Sequence, residues 1–182
     1  MTTSKAMRGL FLLFIPILSI PAIGFAQQKL RKLEVFNGSL ELMAPAALSA
    51  MSENAWTTKY SNRKMPELAI SDANGEVSLV GLMTPQPASE GQLGDFKNFQ
   101  KEELKRKRTD IEWLSDGVLT VNGKKVGYIK FLSTAVDQKV YNEYFFLIIH
   151  GKIAFFTFNC TEKLRGEWEK AGDELISSIK VH

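Results

Sequence analysis

The stretch from Asp110 to Cys160, DIEWLSDGVLTVNGKKVGYIKFLSTAVDQKVYNEYFFLIIHGKIAFFTFNC, decides how this chain folds. Three β-rich apolar runs are joined by Asn122-Gly123 and His150-Gly151 and lead into an amphipathic helical pattern. Asn-Gly is the strongest hairpin signal of the chain, because both central positions of a tight turn must tolerate positive φ. Ile111 to Val121 and Lys124 to Val136 are therefore antiparallel arms, with Gly117 marking a bulge or break in the first. Val140 to His150 follows after a short connection at Asp137-Gln138-Lys139. Its centre, Tyr144-Phe145-Phe146-Leu147-Ile148-Ile149, does not alternate, so that strand must be covered on both faces.

Two helical patterns supply the covers. Leu93, Phe96, Phe99 and Leu104 fall on one stripe at about 100° per residue, after a Ser89 to Gln92 capping box. Leu164, Trp168, Ala171 and Leu175 form a second stripe, with Thr161 as N-cap and Glu162 near the positive helix end. The expected fold class is α+β: an antiparallel β-sheet covered by helices on both faces, an α/β/α sandwich. Further out, Leu33 to Met43 reads as a strand pair or bent strand about Asn37-Gly38, and Ala46 to Ser52 as one helical turn. Trp56 and Tyr60 are packing anchors. Glu67 to Asp72 and Glu76 to Thr84 form another hairpin about Ala73-Asn74-Gly75, followed by a loop over Pro85, Pro87, Ser89 and Gly91.

The N-terminus differs from the rest. Lys5 and Arg8 precede an apolar run from Leu10 to Ile20, and Gly24-Phe25-Ala26 closes the segment. This is the outline of a secretory signal peptide, cleaved near Ala26; Pro16 and Pro21 argue against the alternative of an uncleaved membrane anchor. Of 182 residues, removal of 26 leaves 156, the expected single domain 27–182, and changes the charge count from 23 basic and 20 acidic to 21 and 20. A near-neutral chain has no basic footprint for nucleic acid.

The residues offer little reactive chemistry. Cys160 is the single cysteine, so no internal disulfide forms and it reads as a small buried hydrophobe. One cysteine and two histidines at no close spacing make a poor zinc set. Asp72, Asp110, Asp116 and Asp137 sit at expected turns, His150 reads as a turn residue, and no nucleophile elbow or phosphate loop is present. No catalytic residue, metal or cofactor is expected. Asn37-Gly38-Ser39 and Asn159-Cys160-Thr161 match the short glycosylation pattern. The one charged feature is on the first helix, where Lys97, Lys101, Lys105 and Arg108 fall beside the apolar stripe, with Glu102 and Glu103 away from it. Its plain reading is a solvated face; its functional reading is a ridge that docks an acidic partner, a phosphate-bearing ligand or an anionic lipid surface.

In this order the elements resemble the PsbP-like superfamily, which includes DcrB-like bacterial envelope proteins and the Ran-binding Mog proteins. The residues carrying the resemblance are Leu40-Glu41-Leu42-Met43-Ala44-Pro45, the helix before Ile111, Val121-Asn122-Gly123-Lys124-Lys125, the strands Tyr144 to Ile149 and Lys152 to Phe158, and Leu175-Ile176-Ser177-Ser178-Ile179. The resemblance implies an α/β/α sandwich and a non-enzymatic accessory or binding role, and transfers no site residue. The expectation is an exported accessory or protein-interaction module of a bacterial periplasm or cell envelope, with an envelope protein as partner. The alternative is a small-ligand or lipid-binding envelope protein with a pocket between sheet and helix.

Overall fold

The computed structural model describes residues 28–61, 63–135 and 138–182; the expected signal segment and Asp137 lie outside them. Asn122 (φ 46°) and Gly123 (φ 78°) turn β6 (Glu112–Val121) into β7 (Lys124–Ala135), and His150 (φ 49°) and Gly151 (φ 71°) turn β8 (Gln138–Ile149) into β9 (Lys152–Thr161). Both are the two-residue, all-positive-φ turns that match the twist of paired strands. With β3 (Ser49–Ala50), β4 (Leu68–Ser71) and β5 (Val77–Pro87) they make a seven-stranded antiparallel sheet in the order β3-β4-β5-β9-β8-β7-β6.

The apolar run in β8 is covered on both faces, as its lack of alternation requires. Phe146 and Ile148 pack with α2 (Leu93–Lys107) through Leu93, Phe96 and Leu104. Tyr141, Phe145 and Leu147 point the other way, to Trp168, Ala171 and Leu175 of α3 (Arg165–Ser177). Each cover has a companion whose place the periodicity did not reveal. Beside α3 lies a second, three-stranded sheet of β1 (Leu30–Val35), β2 (Leu40–Pro45) and the C-terminal β10 (Lys180–Val181), whose Leu40, Leu42 and Ala44 are fully buried. Beside α2 lies α1 (Glu53–Tyr60), which seats Trp56 on Ala69 and Val80.

Several local expectations change. Ala46 to Ser52 is not helical; the helix starts one residue later, because Ser52 is its N-cap and its Oγ accepts from the Ala55 N–H at 3.2 Å. The Pro85 and Pro87 segment is strand rather than loop, at the end of β5; pairing with β9 becomes irregular between Met83 and Pro87, where proline has no N–H to give. The bulge in β6 falls between Trp113 and Ser115, not at Gly117. Phe99 stands 57% exposed at the edge of its stripe. Asp116 lies within β6 rather than in a turn.

Gly117 has a different use, shared with two other strand glycines. Gly81 faces Phe156, Gly117 faces Tyr128 and Gly127 faces Phe146 in register, and each ring lies over the bare glycine backbone. A Cβ on Gly127 would stand 2.2 Å from Phe146 Cε2. Phe146 cannot step aside, since it stacks on Phe155 at 5.9 Å and meets Phe96 edge-on at 4.9 Å. Gly127→Ala is expected to destabilise the fold by about 1–3 kcal/mol, read by denaturant unfolding. An unchanged midpoint would mean that the ring moves freely.

Candidate functional site

The four cations of the expected ridge are placed along one side of α2, but each meets a carboxylate. Lys97 and Lys101 both donate to Asp116 on β6, and Lys101 also lies 5.1 Å over the Trp113 ring. Those two hydrogen bonds, from Lys101 first and Lys97 second, hold the Asp116 carboxyl below its usual range despite partial burial. Arg108 clamps Asp110 through Nε and Nη2 at 3.0 and 2.8 Å and donates to the Thr134 carbonyl. Lys105 pairs with Glu102 at 2.7 Å, and Glu103 takes Arg106 and Lys107. Glu102, although away from the stripe, therefore still reaches Lys105 of the ridge, because side chains three and four apart meet, while Glu103 engages cations outside it. Lys97, Lys101 and Arg108 tie the helix to the sheet; the solvent-facing cations are at its last turn, where Lys105 is 51% exposed.

A cleft of about 590 Å³ opens between α1 and α2. α1 covers β4 and β5, α2 covers β7 and β8, and the strip between them is left with Leu82, Tyr144, Phe155 and Thr157 as its floor. Trp56, stacked on Tyr60 at 4.3 Å, forms one wall. Its Nε1 donates to the Arg63 carbonyl at 2.6 Å and so pins the following segment at the rim. Burial raises the Tyr144 phenol pKa, although the Arg108 and Arg63 charges pull the other way.

Against the α1 end of this cleft lies a polar knot that sequence spacing did not bring together. Lys59 Nζ donates to Ser78 Oγ at 2.9 Å, to the Gly75 carbonyl at 3.1 Å and to Asn159 Oδ1 at 3.3 Å. Lys59 as a whole residue is exposed, yet its ammonium is held by these three groups, and burial lowers its pKa. A serine beside such a lysine is a nucleophile and base in some hydrolases. Here Ser78 is wholly buried and its hydroxyl donates to Asn159 Oδ1 at 2.8 Å, so no reacting atom can approach it. The knot clamps α1 to β5 and β9. It also engages the side-chain oxygen of Asn159, which lies within β9, whereas Asn37 lies in the β1 to β2 turn.

On the opposite face a cavity of about 580 Å³ lies between β6, β7 and α3. Lys130 lines it, hydrogen-bonded to Asp173 and 3.6 Å from Glu143 Oε1. Glu143 is 0% exposed. The Tyr141 hydroxyl donates to its Oε2 at 3.1 Å, and Oε1 has no hydrogen-bond partner. Burial pushes the Glu143 carboxyl up to about 7, against the pull of Lys130 and with a further push from Asp173. Burial alone would lower the Lys130 ammonium, but its bond to Asp173 and the Glu143 charge raise it. Both values move up, which keeps the ammonium charged but favours the neutral carboxyl, and geometry explains the difference: Lys130 gives its short bond to Asp173 and leaves Glu143 only a long ion pair. α3 approaches so closely here that a Cβ on Gly172 would meet Glu143 Oε2 at 2.1 Å.

The remaining reactive candidates are structural. Cys160 is buried, and burial pushes its thiol up to about 12, far from the thiolate a nucleophile needs. His150 is the hairpin residue described above. Among the described residues no three His, Cys, Asp or Glu side chains gather as a metal site, and no helix is long and apolar enough to cross a membrane.

No protein-family model matches the chain, nor does any curated protein sequence. Solved structures are similar to it. The solution structure of CyanoP, the cyanobacterial PsbP of a Synechocystis species, is 15% identical with a TM-score of 0.62, covering 92% of this chain and 99% of that one. LpqN, involved in cell envelope biogenesis of Mycobacterium tuberculosis, is 9% identical with a TM-score of 0.54, over 84% of this chain and 90% of its own. A Bacteroides thetaiotaomicron protein is 11% identical with a TM-score of 0.55, over 86% of this chain and 49% of its own.

Proposed function

We propose that this chain, which has the PsbP-like fold, is an exported, non-enzymatic accessory module of a bacterial envelope that works by docking a protein partner. The observation supporting this reading is the match to CyanoP along nearly the full length of both chains; the envelope role of LpqN agrees with it. The apolar run closing on Ala26 supplies the expected export signal.

The docking ridge is narrowed by its ion pairs. Lys97, Lys101 and Arg108 hold α2 and its following loop in place, so their reversal would disturb packing as well as any partner. Lys105, with its neighbour Arg106, presents charge at the exposed last turn of α2 and is the part of the ridge able to steer an acidic surface.

The test is affinity capture from the native host, after fractionation and N-terminal sequencing of the mature chain. The expected result is an envelope-fraction protein starting near Gln27 that retains one defined partner. Lys105→Glu with Arg106→Glu should weaken capture by about tenfold. Capture unaffected by that pair eliminates the ridge, and recovery of the intact N-terminus from the cytoplasm eliminates export.

A further inference from the structure

We propose that the cleft between α1 and α2 binds a single-chain anionic amphiphile, one molecule at a time, its apolar body on the Tyr144 and Phe155 floor and its carboxylate or phosphate end at Arg63 and Lys64. The proposal gives the carrier expectation a place in the fold and stands apart from partner docking at Lys105 and Arg106.

The apolar part of the argument rests on what the two helices leave open. Leu82 on the floor is 40% exposed. Phe99 follows Phe96, which meets Phe155 at 6.1 Å, and precedes Glu103, which lines the cleft. The α2 side chains that line the cleft are Gln100, Glu103, Leu104 and Lys107, and Phe99 is not among them. Leu82, one of the three exposed large hydrophobic side chains among the described residues, thus lines the opening together with the partly buried Tyr144 and Phe155. A concave strip with an apolar floor and a few polar groups at its rim has the make-up of a small-molecule site.

The polar part sets the sign of the head group. Arg63, Lys64 and Lys107 line the cleft, and Glu103 is the one carboxylate that does. Glu103 is already engaged by Arg106 and by Lys107 at 3.0 Å. Neither Arg63 nor Lys64 has a carboxylate partner among the described residues, and the Trp56 bond to the Arg63 carbonyl fixes the rim at which they stand. The Tyr144 hydroxyl on the floor makes no hydrogen bond among the described residues. Guanidinium and ammonium groups lacking an internal anion favour an anionic ligand. The volume is that of a pocket for one small molecule, not of a surface for a bilayer.

The chain purified from its own cells and delipidated would be titrated with dodecanoate below its micellar concentration, by calorimetry and native mass spectrometry. Dodecyltrimethylammonium and dodecyl maltoside serve as head-group controls. A saturable one-to-one dodecanoate complex is expected, with the two controls about tenfold or more weaker. Arg63→Glu with Lys64→Glu should weaken dodecanoate by about tenfold as well, with thermal midpoints unmoved because neither side chain holds a carboxylate in the fold. Leu82→Glu, at an exposed floor position, should weaken binding independently. Equal affinity for dodecyltrimethylammonium, affinity unmoved by the charge reversal, or no complex at all would overturn the proposal. Adsorption to phosphatidylglycerol vesicles without a one-to-one dodecanoate complex would also overturn it and transfer the cations to a membrane surface. None of these outcomes depends on whether a protein partner is captured through Lys105 and Arg106.

Discussion

Glu143→Gln should abolish a fall in stability that the native chain shows between about pH 5 and about pH 8. The Glu143 carboxyl titrates near 4.5 when exposed and near 7 in the fold, chiefly because it is buried. Between those values the folded chain holds a proton that the unfolded chain has released. Stability from this group is therefore full below about pH 4.5, declines as pH rises and is lost once pH passes about 7. The size of the effect is on the order of 3 kcal/mol. Asp110 and Asp116 are held below the usual carboxylate range, Asp110 mainly by its bond from Arg108 and Asp116 by those from Lys101 and Lys97. Their contributions run in the opposite sense, present at high pH and lost on acidification, and fall below the same window. Denaturant midpoints across this range should slope downward for the native chain and lie flat for Glu143→Gln, with the variant more stable at the alkaline end. Parallel curves would mean that Glu143 ionises freely in the fold.

Glu143 also shows where sequence reasoning stopped. The turns at Asn122-Gly123 and His150-Gly151 were legible because positive φ restricts residue choice, and the unalternating run after Tyr144 was legible because only a doubly covered strand tolerates it. From these two features the opposite placement of α2 and α3 followed. Glu143 shares the parity of Tyr141, Phe145 and Leu147, so the alternation did mark it as inward-facing. Its partner was hidden by register: with Asp137-Gln138-Lys139 read as connection, Lys130 does not face Glu143, whereas Ala135 pairs with Gln138 and brings the two opposite each other. A connection misjudged by a residue or two is enough, since strand register carries the whole cross-strand pattern.

The candidate sites were less legible than the fold, for a different reason. The cations on α2 were correctly grouped by helical arithmetic, but Asp116 reaches Lys97 and Lys101 from a strand, and no periodicity reports which strand lies beneath a helix. The cleft is a gap between two helices over one sheet. Its residues come from α1, α2, β5, β8, β9 and the segment after α1, and no single stretch of sequence carries its pattern. The short α1 was missed because its eight residues have only Trp56 buried, too little for an apolar stripe.

Lys130→Met should destabilise the chain by about 1.4 kcal/mol at about pH 8 and by much less at about pH 5. Methionine keeps the packing of the lysine stem while removing the ammonium 3.6 Å from Glu143 Oε1. At alkaline pH Glu143 then lacks the ammonium that lets it ionise and must keep its proton or stand uncompensated, so the loss is bounded by the roughly one pH unit between its folded value near 7 and pH 8. At acidic pH Glu143 is already protonated and loses little. Asp173 also loses its bond to Lys130, but its side chain is 60% exposed, so water replaces the partner at small cost. The Lys130→Met, Glu143→Gln double variant should recover most of the alkaline loss, giving a coupling between the two sites that vanishes on acidification. An equal cost at both pH values, or no rescue by Glu143→Gln, would show that Lys130 contributes through its stem rather than its charge. With rescue, the Lys130 to Glu143 pair would be the element that makes docking of α3 on the sheet depend on protonation, since Glu143 lies directly beneath Gly172.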